Sequence, residues 1–330
     1  MKSRIVGVLA GMFLVMALGA AAHAKCGKVT VSEMNWASAA VAAHVEAIIL
    51  EKGYGCQVTL VPGSTVPTVT SMTEKSEPDI APEIWINSVK DVINKSVKEG
   101  RLKVAGEILS DGGEEGWWVP NYLVKKHPEL TTLQAVMKRP DLFPDKEEPG
   151  KGRFYGCPAG WACQIINKNL FKAYGLKKAG FNLFDPGSGT GLSGAIAKAF
   201  SREEPIFTYY WAPTSILGKY PMVKLGGMKH DPKTWKCVTD KDCADPKPNM
   251  YPKSVVMTVV VAKFAKTAPE AFKFVSNVSW PNSLLNKVLA WQTDNKADAR
   301  ETAEYFLKNN EAAWKAWVSA DAAAKVKAGI

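Results

Sequence analysis

Apolar and polar positions alternate along this chain with two different periods. Val29-Thr30-Val31 and Val58-Thr59-Leu60-Val61 read as short strands. Between them, Ala39 to Lys52 is rich in Ala, Ile and Leu at helical spacing, and Gly53 is expected to stop that helix. Ile80 to Ile86 predicts another short buried strand, and Pro205 to Tyr210 a β-rich run. The strongest strand signal is Ser254 to Phe264, whose Val-Val-Met-Thr-Val-Val-Val stretch suits a strand buried on both faces. Helices are predicted from Leu170 onward, over Gly194–Ser201, and then over Pro269–Val278, Asn282–Ala290 and Ala299 to the C-terminus. Strands alternating with helices argue for an α/β chain with parallel pairing. Residues 138–153 and 228–253, broken by proline, glycine and charge, read as loops or insertions. There is no internal repeat and no low-complexity tract.

The N-terminus has a different grammar. Lys2 and Arg4 precede an uncharged apolar run from Ile5 to Ala22, which closes on Ala22-His23-Ala24. This is the pattern of a secretory signal peptide over residues 1–24. A permanent membrane anchor is the competing reading, but the run is only borderline long enough to span a bilayer, and the cleavage pattern favours removal. Lys25 before Cys26 argues against lipid attachment at that cysteine. The remaining residues, 25–330, exceed what one compact core usually holds, so two lobes are expected. The net charge is +10, of which Lys2 and Arg4 supply two. The other basic residues are scattered, with no dense basic run interleaved with aromatics. That describes a solvated surface rather than a nucleic-acid-binding one.

Six cysteines, Cys26, Cys56, Cys157, Cys163, Cys237 and Cys243, lie beyond the signal segment. An even count in an exported chain implies disulfides. Six allow fifteen connectivities. Spacing favours Cys157–Cys163 and Cys237–Cys243 as short loops, with Cys26 and Cys56 just before two strands that would be neighbours in a parallel sheet. No metal site is expected: there is no C-x-x-C and no H-E-x-x-H, and three histidines remain after the signal segment. Enzyme motifs are scarce as well. Gly187-Ser188-Gly189-Thr190-Gly191 precedes a helix but lacks the Lys-Ser/Thr of a phosphate loop, and reads as a plain helix start. Glu114-Glu115, adjacent carboxylates beside glycines, read as solvated.

Tryptophan is where the composition departs from the ordinary, with eleven in the chain. Trp314 and Trp317 sit three apart on a helix, and packing explains them. Trp36, Trp85, Trp117, Trp118, Trp161 and Trp211 instead sit at strand ends or in Gly/Pro loops, where α/β proteins build ligand sites. Any one of them could be core. As a set they suggest a surface for a cation that cannot donate hydrogen bonds, for which indole faces are the best partners.

Three segments resemble the glycine betaine, proline betaine and choline receptors of ABC importers. They are Pro82-Glu83-Ile84-Trp85, Gly156-Cys157-Pro158-Ala159-Gly160-Trp161-Ala162-Cys163, and Pro205-Ile206-Phe207-Thr208-Tyr209-Tyr210-Trp211-Ala212-Pro213. They occur in the family's order and spacing, and the likeness spans essentially the whole chain after the signal segment. The resemblance implies a two-lobed, type II-like periplasmic binding protein with a cleft between its lobes. Lobe one would comprise residues 25–113 plus 250–330, and lobe two residues 114–249. Trp85, Trp161 and Trp211 would box a trimethylammonium group, and the backbone N–H groups of Ala162 and Cys163 would hold a carboxylate. At about 1–2 kcal/mol per desolvated cation–π contact, three contacts and a charge-assisted clamp reach about −8 kcal/mol, which is micromolar binding.

Trp36 and Asn35 match a place where choline-binding relatives carry a further Trp, with an acidic residue two positions later; here that position is Ser38. Trp117 or Trp118 matches another aromatic cage position, and Glu33 is placed near the cleft to pair with a ligand cation. Val89 stands where one betaine receptor pattern has a histidine. The expected partners are therefore a small quaternary-ammonium ligand and the membrane subunits of an ABC importer, with no cofactor and no nucleic acid, for a periplasmic monomer without enzymatic activity. Choline, carnitine or another small cation or zwitterion are alternative ligands. A secreted enzyme and a structural envelope protein are the rival classes.

Overall fold

A computed structural model describes residues 26–330, and the signal-peptide reading of residues 1–24 lies outside them. Ten strands are present among the described residues: β1 (Lys28–Met34), β2 (Gln57–Gly63), β3 (Ile80–Trp85), β4 (Leu102–Glu107), β5 (Glu114–Pro120), β6 (Gly152–Tyr155), β7 (Phe181–Phe184), β8 (Phe207–Ala212), β9 (Met222–Lys224) and β10 (Val256–Val261). They form two five-stranded sheets, ordered β2-β1-β3-β10-β4 and β7-β6-β8-β5-β9. In the first, β1 pairs parallel with β2 and β3, and β10 antiparallel with β3 and β4. In the second, β6 pairs parallel with β7 and β8, and β5 antiparallel with β8 and β9.

One plan is therefore used twice. In each sheet the antiparallel strand inserted at the fourth position is the one that follows a crossing from the other sheet: β5 after the chain leaves, β10 after it returns. The two crossing segments touch. Gly113 and Ser254 form an antiparallel bridge, each N–H donating to the other's carbonyl at 2.8 Å. This is the two-lobed α/β fold expected from the chain length and the family resemblance, but the parallel pairing expected from the alternating elements holds for only two of the four pairings in each sheet, because the strand inserted after each crossing runs antiparallel to its neighbours.

The long apolar run at 254–264 divides at Val261. Its first part is β10, buried between two strands as its unbroken hydrophobicity requires, and the helix Ala262–Thr267 follows. The first helix is longer than its pattern, running Ala37–Tyr54. Gly55, at φ +69°, ends it in the left-handed conformation that glycine takes most readily. Gly53 lies inside the helix, where a Cβ would come within 3.2 Å of Val326 in the last helix; its role is close packing rather than termination. The C-terminal helices Ala299–Asn309 and Ala320–Gly329 fold back on this first helix. Trp280, Phe306 and Trp317 pack against one another nearby, and Trp314 is buried with its Nε1 donating to the Leu307 carbonyl.

All three expected disulfides are present: Cys26–Cys56, Cys157–Cys163 and Cys237–Cys243. The first joins the chain just ahead of β1 and β2, which run side by side from Lys28↔Gln57 to Met34↔Gly63. The stretch read as a loop at 228–253 contains a short helix, Pro232–Val238, capped by the Asp231 side chain. Among the described residues, no helix is long and apolar enough to cross a membrane.

Candidate functional site

A small cavity lies at the seam between the two sheets. Four indoles line it: Trp36, Trp85, Trp161 and Trp211. Each reaches the cavity from the end of an element or from a strand of the second sheet. Trp85 ends β3, Trp211 lies on β8, and Trp36 and Trp161 are the residues immediately before the helices Ala37–Tyr54 and Ala162–Ala173. Trp161 stands edge-on between two of the others, its ring centroid 5.2 Å from Trp36 and 5.1 Å from Trp211. These edge-to-face contacts fix the rings while leaving faces for an occupant.

Ala162 and Cys163 also line the cavity. As first-turn residues of a helix, their N–H groups have no intrahelical acceptor, and they lie at its positive end. The Cys157–Cys163 disulfide ties the preceding loop to that turn. The lobes are closed over the site. Trp161 Nε1 donates to Asn35 Oδ1 across the cleft at 2.6 Å, the Val66 N–H donates to the Gly160 carbonyl at 3.1 Å, and Asn87 Nδ2 donates to Glu115 Oε2 at 3.0 Å.

Four residues singled out in the sequence are not on the wall. Trp117 and Trp118 are adjacent on β5, so they face opposite sides of the sheet, and neither reaches the cavity. Trp117 is core, against Phe154, Tyr174 and Phe207, with Nε1 donating to Asn167. Trp118 donates to the Tyr210 carbonyl and lies under Lys224. Glu33 pairs with His44 at 3.3 Å instead of facing the cleft. Asn35 acts one step back, as the acceptor for Trp161.

Two carboxylates matter that the sequence reading passed over. Glu114 is exposed and pairs with Lys224, as a solvated carboxylate does. Glu115, on the other face of β5, is 3 % exposed and lines the cavity. It accepts from Tyr209 Oη at 2.8 Å on Oε1, and from Asn87 and Ser254 on Oε2. Burial pushes its carboxyl above the ordinary range, opposed by those three hydrogen bonds. Glu83 lies just behind the wall and is bonded to two of the indoles. The missing signal was non-local: Glu115 is buried by the pairing of β5 with β8, where it lies opposite Trp211.

Trp85 has room only because residue 113 is glycine. A Cβ there would come within 2.2 Å of the indole Cζ3. Gly113→Ala is expected to push the ring out of place and weaken ligand binding about tenfold, in keeping with the usual 1–3 kcal/mol cost of overpacking. Isothermal titration of the variant checks this, and unchanged affinity would show that the position of Trp85 is immaterial. Among the described residues, no group of three or more His, Cys, Asp or Glu side chains is placed to hold a metal ion.

The family model described as the substrate binding domain of ABC-type glycine betaine transport system (OpuAC) matches residues 27–309. Among solved structures, the chain is similar to a glycine betaine/L-proline-binding protein (ProX) from Borrelia burgdorferi, with 18 % identity, TM-score 0.73, and 91 % of this chain and 99 % of that one covered. It is similar to an ABC-transporter choline binding protein in complex with choline, with 21 % identity, TM-score 0.71 and coverages of 92 % and 98 %. It is also similar to lactococcal OpuAC, closed on glycine betaine, with 19 % identity, TM-score 0.68 and coverages of 89 % and 100 %. At these identities the structural matches speak to the fold.

Proposed function

The chain belongs to the family of substrate-binding domains of ABC-type glycine betaine transport systems, and on that premise we propose that it is a periplasmic receptor for a compact quaternary-ammonium solute, glycine betaine or proline betaine, which it delivers to the membrane subunits of an ABC importer. The observation that carries this reading is the meeting of four indoles and a helix start in one small cavity at the seam of the lobes. A methylated ammonium offers no N–H to an acceptor, so π faces are the means of holding it. In this reading Trp36, Trp85, Trp161 and Trp211 surround the cation, and the Ala162 and Cys163 N–H groups receive the carboxylate. Residues 25–113 with 250–330 form one lobe and residues 114–249 the other, and ligand draws them together. The receptor acts as a monomer and performs no chemical step; binding and release are its whole cycle.

Glu115 supports a second reading. A buried carboxylate on the cavity wall suits a ligand with a net positive charge and a hydroxyl to donate, as in choline. Intrinsic tryptophan fluorescence of the mature protein, kept free of reductant and titrated with glycine betaine, proline betaine, choline and carnitine, separates the two. A saturable micromolar change with one of them supports the class and names the ligand. A flat response to all four from folded protein would remove the quaternary amine from the reading.

A further inference from the structure

Two of the cage indoles share one buried acceptor. Glu83 lies within β3, two residues before Trp85, and is 1 % exposed. Its Oε1 accepts from Trp36 Nε1 at 2.7 Å, from Ser38 Oγ at 2.7 Å and from Trp85 Nε1 at 3.2 Å. The donors come from separate pieces of chain, the start of the helix Ala37–Tyr54 and the end of β3, so one oxygen sets both indoles relative to each other. The backbone at Glu83 is itself unusual, with φ +57° in the middle of a buried strand. Non-glycine residues hold that conformation only where their surroundings impose it, and such positions cluster at functional sites.

The charge of this group is also uncompensated. Burial pushes the Glu83 carboxyl up to about 7, opposed by the three hydrogen bonds alone, with no cation contributing. A second buried acidic group, Glu115, lines the same cavity and is bonded to Asn87, Ser254 and Tyr209. A carboxylate buried without a counter-ion gains from the arrival of a positive charge. Indole N–H groups that donate to it also carry more negative faces toward the cavity.

We propose that Glu83 is a positioning and specificity-determining residue, which sets the pose of the Trp36 and Trp85 rings and supplies the negative potential that makes the cavity select a cationic head group over a neutral one of the same shape. This rests on the reading of the cavity as a quaternary-ammonium site and adds to it the source of its charge discrimination.

The test compares each charged probe with its carbon isostere: choline with 3,3-dimethylbutan-1-ol, and glycine betaine with 3,3-dimethylbutanoate. Calorimetry is run at pH 8 on wild type and on Glu83→Gln, which keeps the size of the side chain and the accepting oxygen. The variant is expected to lose about tenfold in affinity for the trimethylammonium probe and less than twofold for its isostere, with its thermal melt retained. An equal loss for both probes would reduce Glu83 to packing and overturn the proposal, as would equal retention of both. If wild type binds none of the four probes, the quaternary-ammonium reading itself fails, which is a distinct result.

Discussion

Trp161→Ala is expected to weaken quaternary-ammonium binding about a hundredfold, or roughly 2.7 kcal/mol, the largest loss of any single cage substitution. Trp161 does three things at once. In the proposed cage it presents a face to the ligand, and it stands edge-on to both Trp36 and Trp211, so its removal frees their rings. Its Nε1 also crosses the cleft to Asn35, so the closed seam loses a hydrogen bond and admits water. Trp85→Ala and Trp211→Ala, which remove a face without opening the seam, are each expected to cost at least about tenfold. Calorimetric titration with the ligand identified by fluorescence measures all three, alongside thermal melts to verify folding. Undiminished affinity in two of the three variants would mean that the indoles are core rather than cage.

The second large effect lies away from the cavity. Glu46, within the helix Ala37–Tyr54, is fully buried, and neither carboxylate oxygen has a hydrogen-bond partner. Burial alone pushes its carboxyl from 4.5 to about 8. A pKa raised by folding means that the native state holds a proton the unfolded chain gives up. Its stability contribution is therefore complete below about pH 4.5 and is lost as pH rises through about 8. At 1.36 kcal/mol per pKa unit, the loss across that window is on the order of 5 kcal/mol. Glu83 and Glu115 are shifted the same way, so the informative quantity is a difference between proteins. Urea unfolding at pH 5, 7 and 9 is expected to show Glu46→Leu gaining on wild type as pH rises. Parallel stability curves would mean that Glu46 does not titrate in this window.

The elements that sequence reading recovered are those whose burial is written locally. β10 is an unbroken apolar run because strands flank it on both sides, and the helix at 37–54 is a long stretch of Ala, Val, Ile and Leu buried on most of its sides. The strands it missed are short, lie at an edge or, like the seven-residue β5, carry carboxylates, glycine and proline in place of an apolar alternation. β6 and β7 have four residues each, β9 has three, and β4 is an edge strand with Lys103 and Val104 exposed. The site divides along the same line. Trp85, Trp161 and Trp211 are legible because each sits where an element meets a loop, inside a segment that resembles a known family. The Trp117-Trp118 pair looks equally suitable, but the two sides of a strand send adjacent residues apart, and which side meets a cavity depends on the partner strand. Glu115 looks like half of a solvated acidic pair until β8 is laid beside it. Glu83 is obscured in a similar way, because nothing in Pro82-Glu83-Ile84-Trp85 shows that Trp36, forty-seven residues earlier, will donate to the same oxygen.

The bridge between Gly113 and Ser254 has a mechanical meaning. Two independent tethers between lobes would permit twisting and shearing as well as bending. Here the outgoing and returning segments are laced together by a reciprocal pair of hydrogen bonds, so under the proposed lobe closure they are expected to bend together as a single strap. Ser254 supplies half of that lacing through its backbone, while its hydroxyl holds the cavity's Glu115. One residue thus belongs both to the lacing of the two crossing segments and to the hydrogen-bond shell of the cavity wall.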